Sequence, residues 1–280
     1  MSVADMLMRR MTVGDLQTLF SIECADDARA VTITDLACTS NEIKPGCLYI
    51  PPAAERDEEH LRDAVTSGCY AILLPQVWRG RASTDDLGIP VLFSDEIDKK
   101  LGLIAAHLYG EPSQQLAIFV VYGMRCHSVA RKLSDILHML GNPVGTVVEG
   151  SSLSLSRELE VPYPLNAVHL QQQMQIMVED GATAAVIAAD EATLAPWALV
   201  GTAIDVVSGQ DSVTQLYGAT FSEETHVAAA SERQITQVLV QSDGANVRDE
   251  AARQAVSMAL AAGITPDSIS QAAWVSQELN

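Results

Sequence analysis

Apolar and polar positions alternate along the chain in short segments of two periods, and the switch between them predicts the elements. Val13–Phe20 reads as a short helix that Thr12 can cap. Two β-like runs follow, "AVTITDL" and "CLYIPP", divided by the turn Lys44-Pro45-Gly46. "DEEHLRDAVTSG" is a helix closed by Gly68, "CYAILL" and "IPVLFS" are strands, and "DEIDKKLGLIAAHLYG" is a helix that Ser94 or Asp95 can cap. The polar stretch Glu111–Gln115 marks a boundary, which gives a first domain at 1–113 and a second at 114–280.

The second part opens on "LAIFVVYG", a continuous apolar run suited to a parallel strand buried on both faces. After Gly123 the period becomes helical, with Val129, Leu133, Ile136, Leu137 and Leu140 on one stripe. "NAVHLQQQMQIMVEDG" reads as a helix with Met174 and Met177 at core spacing, "TAAVIAAD" as a buried strand, and "TAIDVVSG" as another. The tail gives two helices, "RDEAARQAVSMALAAG" and "PDSISQAAWVSQEL", the second with Thr265 as N-cap and Pro266 at its first position. The predicted fold is α/β: a small N-terminal α/β domain, then a doubly wound, mainly parallel sheet of the phosphate-loop type.

Composition narrows the function classes. The 280 residues carry a formal net charge of -19, with 48% hydrophobic and 19% charged positions. So acidic a chain lacks the basic face that nucleic acids and anionic membranes require. Its apolar runs are far shorter than the roughly 20 residues of a membrane span. The first twenty residues do not read as a signal peptide, so a cytoplasmic location is expected. Five scattered cysteines without a C-x-x-C pair read as thiols of a reducing compartment. His60, His107, His138, His169 and His226 are dispersed and read as structural or surface residues.

The chemistry is concentrated after the strand at 116–122. A strand, a glycine turn and a helix form the setting in which phosphates sit. Gly123, Arg125, Cys126, His127 and Ser128 occupy that turn. Asp190 and Glu191 follow the next buried strand, where metal-binding carboxylates occur in such sheets. Cys126 beside His127 pairs a thiol with an imidazole, but sequence neighbours seldom face each other and no third group to orient them is evident.

The order of segments resembles the Mur ligase family, most of all its UDP-N-acetylmuramoyl-tripeptide synthetase branch. The residues that carry the resemblance are "ITDLACTSNEIKPGCLYIPP", "LRDAVTSGCYAILL", "AAHLYGEPSQQLAIFVV" and "DGANVRDEAARQAVSMALAAGITPDSI". The resemblance implies a UDP-binding-like first domain and an ATPase-like central domain, in enzymes that use ATP to join an amino acid to a UDP-linked muramoyl peptide of the cell wall. Against the family's loop "T-G-T-N-G-K-T-T", the first glycine is kept as Gly123, the second falls on Cys126, the lysine on His127 and the metal-binding hydroxyl on Ser128. A side chain at Cys126 is expected to obstruct a backbone conformation that glycine permits. The family's "T-T-P" falls on Pro162, Tyr163 and Pro164, its metal-binding glutamate on Ala188 and its histidine on Ala192. The uridine-side "D-S-R" becomes Thr39, Ser40 and Asn41, keeping only the serine. The chain stops where the family's third domain is expected.

These departures imply a pseudoenzyme that uses no cofactor and no metal, with Asp190 and Glu191 as the remaining metal candidates. The expected partners are a Mur-type ligase or a second copy, as a homodimer or heteromer, with Val256, Met258, Leu260, Ile269, Trp274 and Leu279 of the tail offering apolar surface. Two alternatives stand beside it. One is an ATP-dependent amide ligase with altered residues or a partner's domain. The other is a noncatalytic binder of a UDP-sugar or other nucleotide through the first domain, where Ser40 is kept.

Overall fold

A computed structural model describes residues 11–241 and 248–278, and the chain divides into two compact units that meet in sequence at Gly110 and Glu111. The first unit begins with a two-residue strand β1 (Met11–Thr12) and helix α1 (Val13–Phe20). Thr12 caps α1 reciprocally: its hydroxyl accepts the Asp15 amide at 3.2 Å, and the Asp15 carboxylate accepts the Thr12 amide at 2.7 Å.

The run "AVTITDL" does not form one strand. It gives β2 (Thr32–Ile33), paired with β1, and β3 (Asp35–Ala37), which belongs to another sheet. Between them the Thr34 amide donates to the Gly46 carbonyl at 3.0 Å, which bends the chain. Strands β4 (Cys47–Tyr49), β5 (Ala71–Pro75) and β6 (Val91–Ser94) complete a parallel sheet in the order β3-β4-β5-β6. Helix α2 (Glu58–Thr66), capped by Asp57, buries Leu61 and Ala64 against Cys47, Tyr49, Cys69, Ile72 and Leu74. Helix α3 (Ile97–Leu108) starts later than the sequence suggests. Neither Ser94 nor Asp95 caps it, because Ser94 ends β6 and its hydroxyl donates to the Asp95 carbonyl; Glu96 precedes the helix at φ 56°.

The second unit is built on a seven-stranded sheet. Strands β7 (Ala117–Tyr122), β8 (Val144–Val147), β9 (Leu153–Ser154), β10 (Arg157–Glu158), β11 (Ala184–Ala189), β12 (Val206–Val207) and β13 (His226–Val227) lie in the order β10-β9-β8-β11-β7-β12-β13. All pairs are parallel except the β8-β9-β10 edge. The continuous apolar strands bury both faces, as a doubly wound sheet requires. Phe119 and Val121 of β7, with Ala184, Val186 and Ala188 of β11, point into one core. Ile118 and Val120, with Ala185, Ile187 and Ala189, point into the other.

Helices α4 (Cys126–Met139), α7 (Glu232–Gln241), α8 (Glu250–Ala261) and α9 (Pro266–Glu278) cover the first face; α5 (Ala167–Glu179) and α6 (Gln210–Tyr217) cover the second. Strands β8, β9, β10 and β13 and helices α6 and α7 are additions to the sequence reading. Val256, Met258 and Ile269 are fully buried within this unit, and Leu260 packs against the same core. The tail apolar residues expected at an interface are therefore used internally; the side chain of Trp274 and all of Leu279 lie outside the described residues. No helix among the described residues is long and apolar enough to cross a membrane.

Candidate functional site

The turn between β7 and α4 is three residues long. Gly123 takes φ 114°, a conformation that L side chains rarely adopt, and the Cys126 amide donates back to its carbonyl at 2.9 Å. Met124 is fully exposed and Ser128 is exposed. Cys126 does not share Gly123's unusual backbone: it is the first residue of α4, and its side chain is buried beside Val121, Val129 and Ala188. The expected obstruction by its Cβ therefore does not arise.

Arg125 turns outward to an ion pair with Glu250 at the start of α8. His127, one-third exposed, turns across the end of the sheet to Asp190, with Nε2 2.7 Å from Oδ2. The Cys126 thiol reaches the same oxygen at 3.2 Å. Asp190, which the sequence offered only as a metal candidate, is thus the third group that meets Cys126 and His127. Strand β11 lies beside β7 with Ala189 opposite Tyr122, so the residues after both strands emerge together. A carboxylate 64 positions away in the chain then meets Cys126.

A supporting shell fixes this carboxylate. The Thr193 amide donates to Asp190 Oδ1 at 2.9 Å. Thr193 Oγ1 accepts the Glu149 amide at 3.1 Å and lies 3.4 Å from His127 Nε2. Burial pushes the Asp190 carboxyl upward, but the hydrogen bonds from Cys126 and Thr193 and the nearby His127 outweigh it and hold it below its ordinary range. Burial, then the hydrogen bond to Asp190, pushes the Cys126 thiol up to about 12. The thiol faces a carboxylate rather than the imidazole, so this is not a thiolate–imidazolium nucleophile. Glu191 is exposed and outside the cluster. Ala188 is fully buried in the core where the resemblance places a metal-binding glutamate.

In the first unit, Thr39, Ser40 and Asn41 enter a single 3-10 turn, Ser40–Glu42. The amides of residues 38–40, leading into it, are engaged by carboxylates. Glu42 accepts the amides of Cys38 and Thr39 at 2.8 and 3.2 Å, and Glu55 accepts the Ser40 amide at 2.8 Å and the Tyr49 hydroxyl. A cavity of about 480 Å³ in the same unit lies elsewhere, lined mainly by apolar residues such as Val31, Ile89, Val91 and Phe93.

The chain as a whole is similar to known proteins. The UDP-N-acetylmuramoyl-L-alanyl-D-glutamate–2,6-diaminopimelate ligase of Alkalilimnicola ehrlichii is 28% identical over 154 residues, which is 50% of this chain and 29% of the ligase. The ligase of the same name from Pseudomonas putida is 29% identical over 126 residues, 44% of this chain and 25% of that one. The solved structure of MurF from Acinetobacter baumannii matches with a TM-score of 0.56 at 13% identity, over 96% of this chain and 68% of that one. The chain is Mur-ligase-like. No family model matches it. The Mur-ligase-like segments span less than a third of the length of these curated relatives, and the structural match speaks to the α/β fold alone.

Proposed function

We propose that this Mur-ligase-like protein does not carry out ATP-dependent ligation and works by binding, beside a Mur-type ligase of muramoyl-peptide synthesis. The observation that carries the reading is the engagement of His127. The side chain in the family's lysine position is held at 2.7 Å by Asp190, while neighbouring Arg125 is paired with Glu250. A nucleotide's phosphates need cations and amides directed at the loop, and a magnesium ion needs oxygen ligands. Here Asp190 holds the His127 ring, the exposed Glu250 pairs with Arg125, and buried Ala188 offers no oxygen ligand from its side chain. Magnesium–nucleotide therefore does not fit these residues. The uridine side is disfavoured for a related reason, because Glu42 and Glu55 hold the amides of residues 38–40 and would repel a pyrophosphate.

Titration of the purified chain with ATP and magnesium by calorimetry tests the reading. The expected result is no binding at tens of micromolar protein and no hydrolysis. Micromolar affinity, with turnover abolished by His127→Ala, would replace it with an active ligase. A Mur-type ligase co-purifying with the native chain would identify the partner.

A further inference from the structure

The Cys126–His127–Asp190 cluster has a property that loss of the phosphate site does not explain. Three different donor atoms (a thiol sulfur, an imidazole nitrogen and a carboxylate oxygen) converge within 4.8 Å of one another. Two of them address the same atom, Asp190 Oδ2, from 3.2 and 2.7 Å. We propose that this cluster is a binding site for a zinc-class divalent cation, with Cys126 Sγ, His127 Nε2 and Asp190 Oδ2 as its three protein ligands.

The donor set selects the ion. Thiolate and imidazole suit zinc, whereas magnesium and calcium require hard oxygen ligands. Thiolate and carboxylate together carry the two negative charges that balance a divalent ion, and the imidazole binds neutral. A lysine at position 127 would place a fixed positive charge here; histidine supplies a lone pair instead. Tetrahedral zinc holds such donors at roughly 2.0–2.3 Å, which sets donor-to-donor separations of about 3.4–3.6 Å. The Cys126–Asp190 pair opens by about 0.2–0.4 Å and the His127–Asp190 pair by about 0.7 Å to reach this. His127 and Asp190, at 33% and 32% exposure, have room to adjust.

The proton balance is direct. On binding, the Cys126 thiol proton leaves to solvent, and the imidazole carries its proton on Nδ1 and presents Nε2 to the ion. Thr193 fixes Asp190 from behind through its amide, a second shell of the kind metal sites use to hold their ligands. With three protein ligands, the fourth position is left for water on the exposed side.

Cobalt(II) is the measurable stand-in for zinc. The full chain, stripped with chelator, is titrated with cobalt chloride and followed by absorption. The expected result is one equivalent bound with a thiolate-to-cobalt charge-transfer band and tetrahedral visible bands, all displaced by one equivalent of zinc. Cys126→Ser should remove the charge-transfer band, and Asp190→Asn should weaken affinity at least tenfold, with unchanged circular dichroism in both. Cys47→Ser should leave the band intact, since Cys47 is buried in the first unit. No charge-transfer band in the parent, or one that survives Cys126→Ser, overturns the proposal. The outcome is independent of whether ATP binds.

Discussion

Removing the Asp190 carboxylate should destabilise the second unit by an amount that can be counted from its bonds. It accepts from the Cys126 thiol at 3.2 Å and the Thr193 amide at 2.9 Å, and pairs with His127 at 2.7 Å. At about 1 kcal/mol net for each hydrogen bond, Asp190→Ala loses about 3 kcal/mol. Asp190→Asn retains Oδ1 for the Thr193 amide and loses about 2 kcal/mol by the same reckoning. For a unit of this size 1 kcal/mol moves the midpoint by about 2–4 °C, so the expected falls are about 6–12 °C and 4–8 °C. The assay is scanning calorimetry of the full chain at pH 7 with chelator present, so that no metal contributes. His127→Ala completes a double-mutant cycle, in which the double variant should lose about 1 kcal/mol less than the sum of the singles. An Asp190→Ala protein within about 0.5 kcal/mol of the parent, or a strictly additive cycle, would refute the reasoning.

Gly145→Ala should destabilise by about 1–3 kcal/mol through overpacking. Its Cβ would stand 2.3 Å from the sulfur of fully buried Met177, and a urea midpoint unchanged from the parent would contradict this. Asp15→Asn should show a pH-dependent loss. The Thr12 amide, then its hydroxyl, hold the Asp15 carboxyl below 3.8 against the opposing effect of burial, with His107 adding to the lowering. A depressed carboxyl stabilises the fold above its unfolded value and loses that contribution as pH falls through the folded one. Parent and variant should therefore differ at pH 7 and converge in acid, once the pH lies below the lowered carboxyl of the folded state; a gap that persists there would exclude the carboxylate as its source.

The strands at 117–122 and 184–189 were legible because both faces are buried, which makes an unbroken apolar run. Strand β8 was not, since it is four residues long and interrupted by Gly145, whose lack of a side chain admits Met177. The split of "AVTITDL" depends on the long-range bond from Thr34 to Gly46, which no local period reports. Helices α6 and α7 are short, with three or fewer buried positions each, so their stripes are faint. Gly123, Arg125, Cys126, His127 and Ser128 were legible as a turn between strand and helix. The partner of Cys126 and His127 was not. The topological signal for it is that Asp190 ends the apolar run that pairs beside β7, and sheet order is needed to read it.

The two places where the resemblance implies phosphates share one electrostatic outcome. In the first unit the amides of residues 38–40 point at Glu42 and Glu55; in the second, Arg125 and His127 point at Glu250 and Asp190. In each, groups suited to an anion already hold a carboxylate supplied by the chain. An incoming phosphate would have to displace that carboxylate and then sit near it, which adds repulsion to the lost bonds. A cation meets the opposite balance at Asp190, where a carboxylate, a thiol and an imidazole already face one point. On the proposed reading, the residues that leave no place for a phosphate are those that suit a cation, and a net charge of -19 biases the surface in that direction.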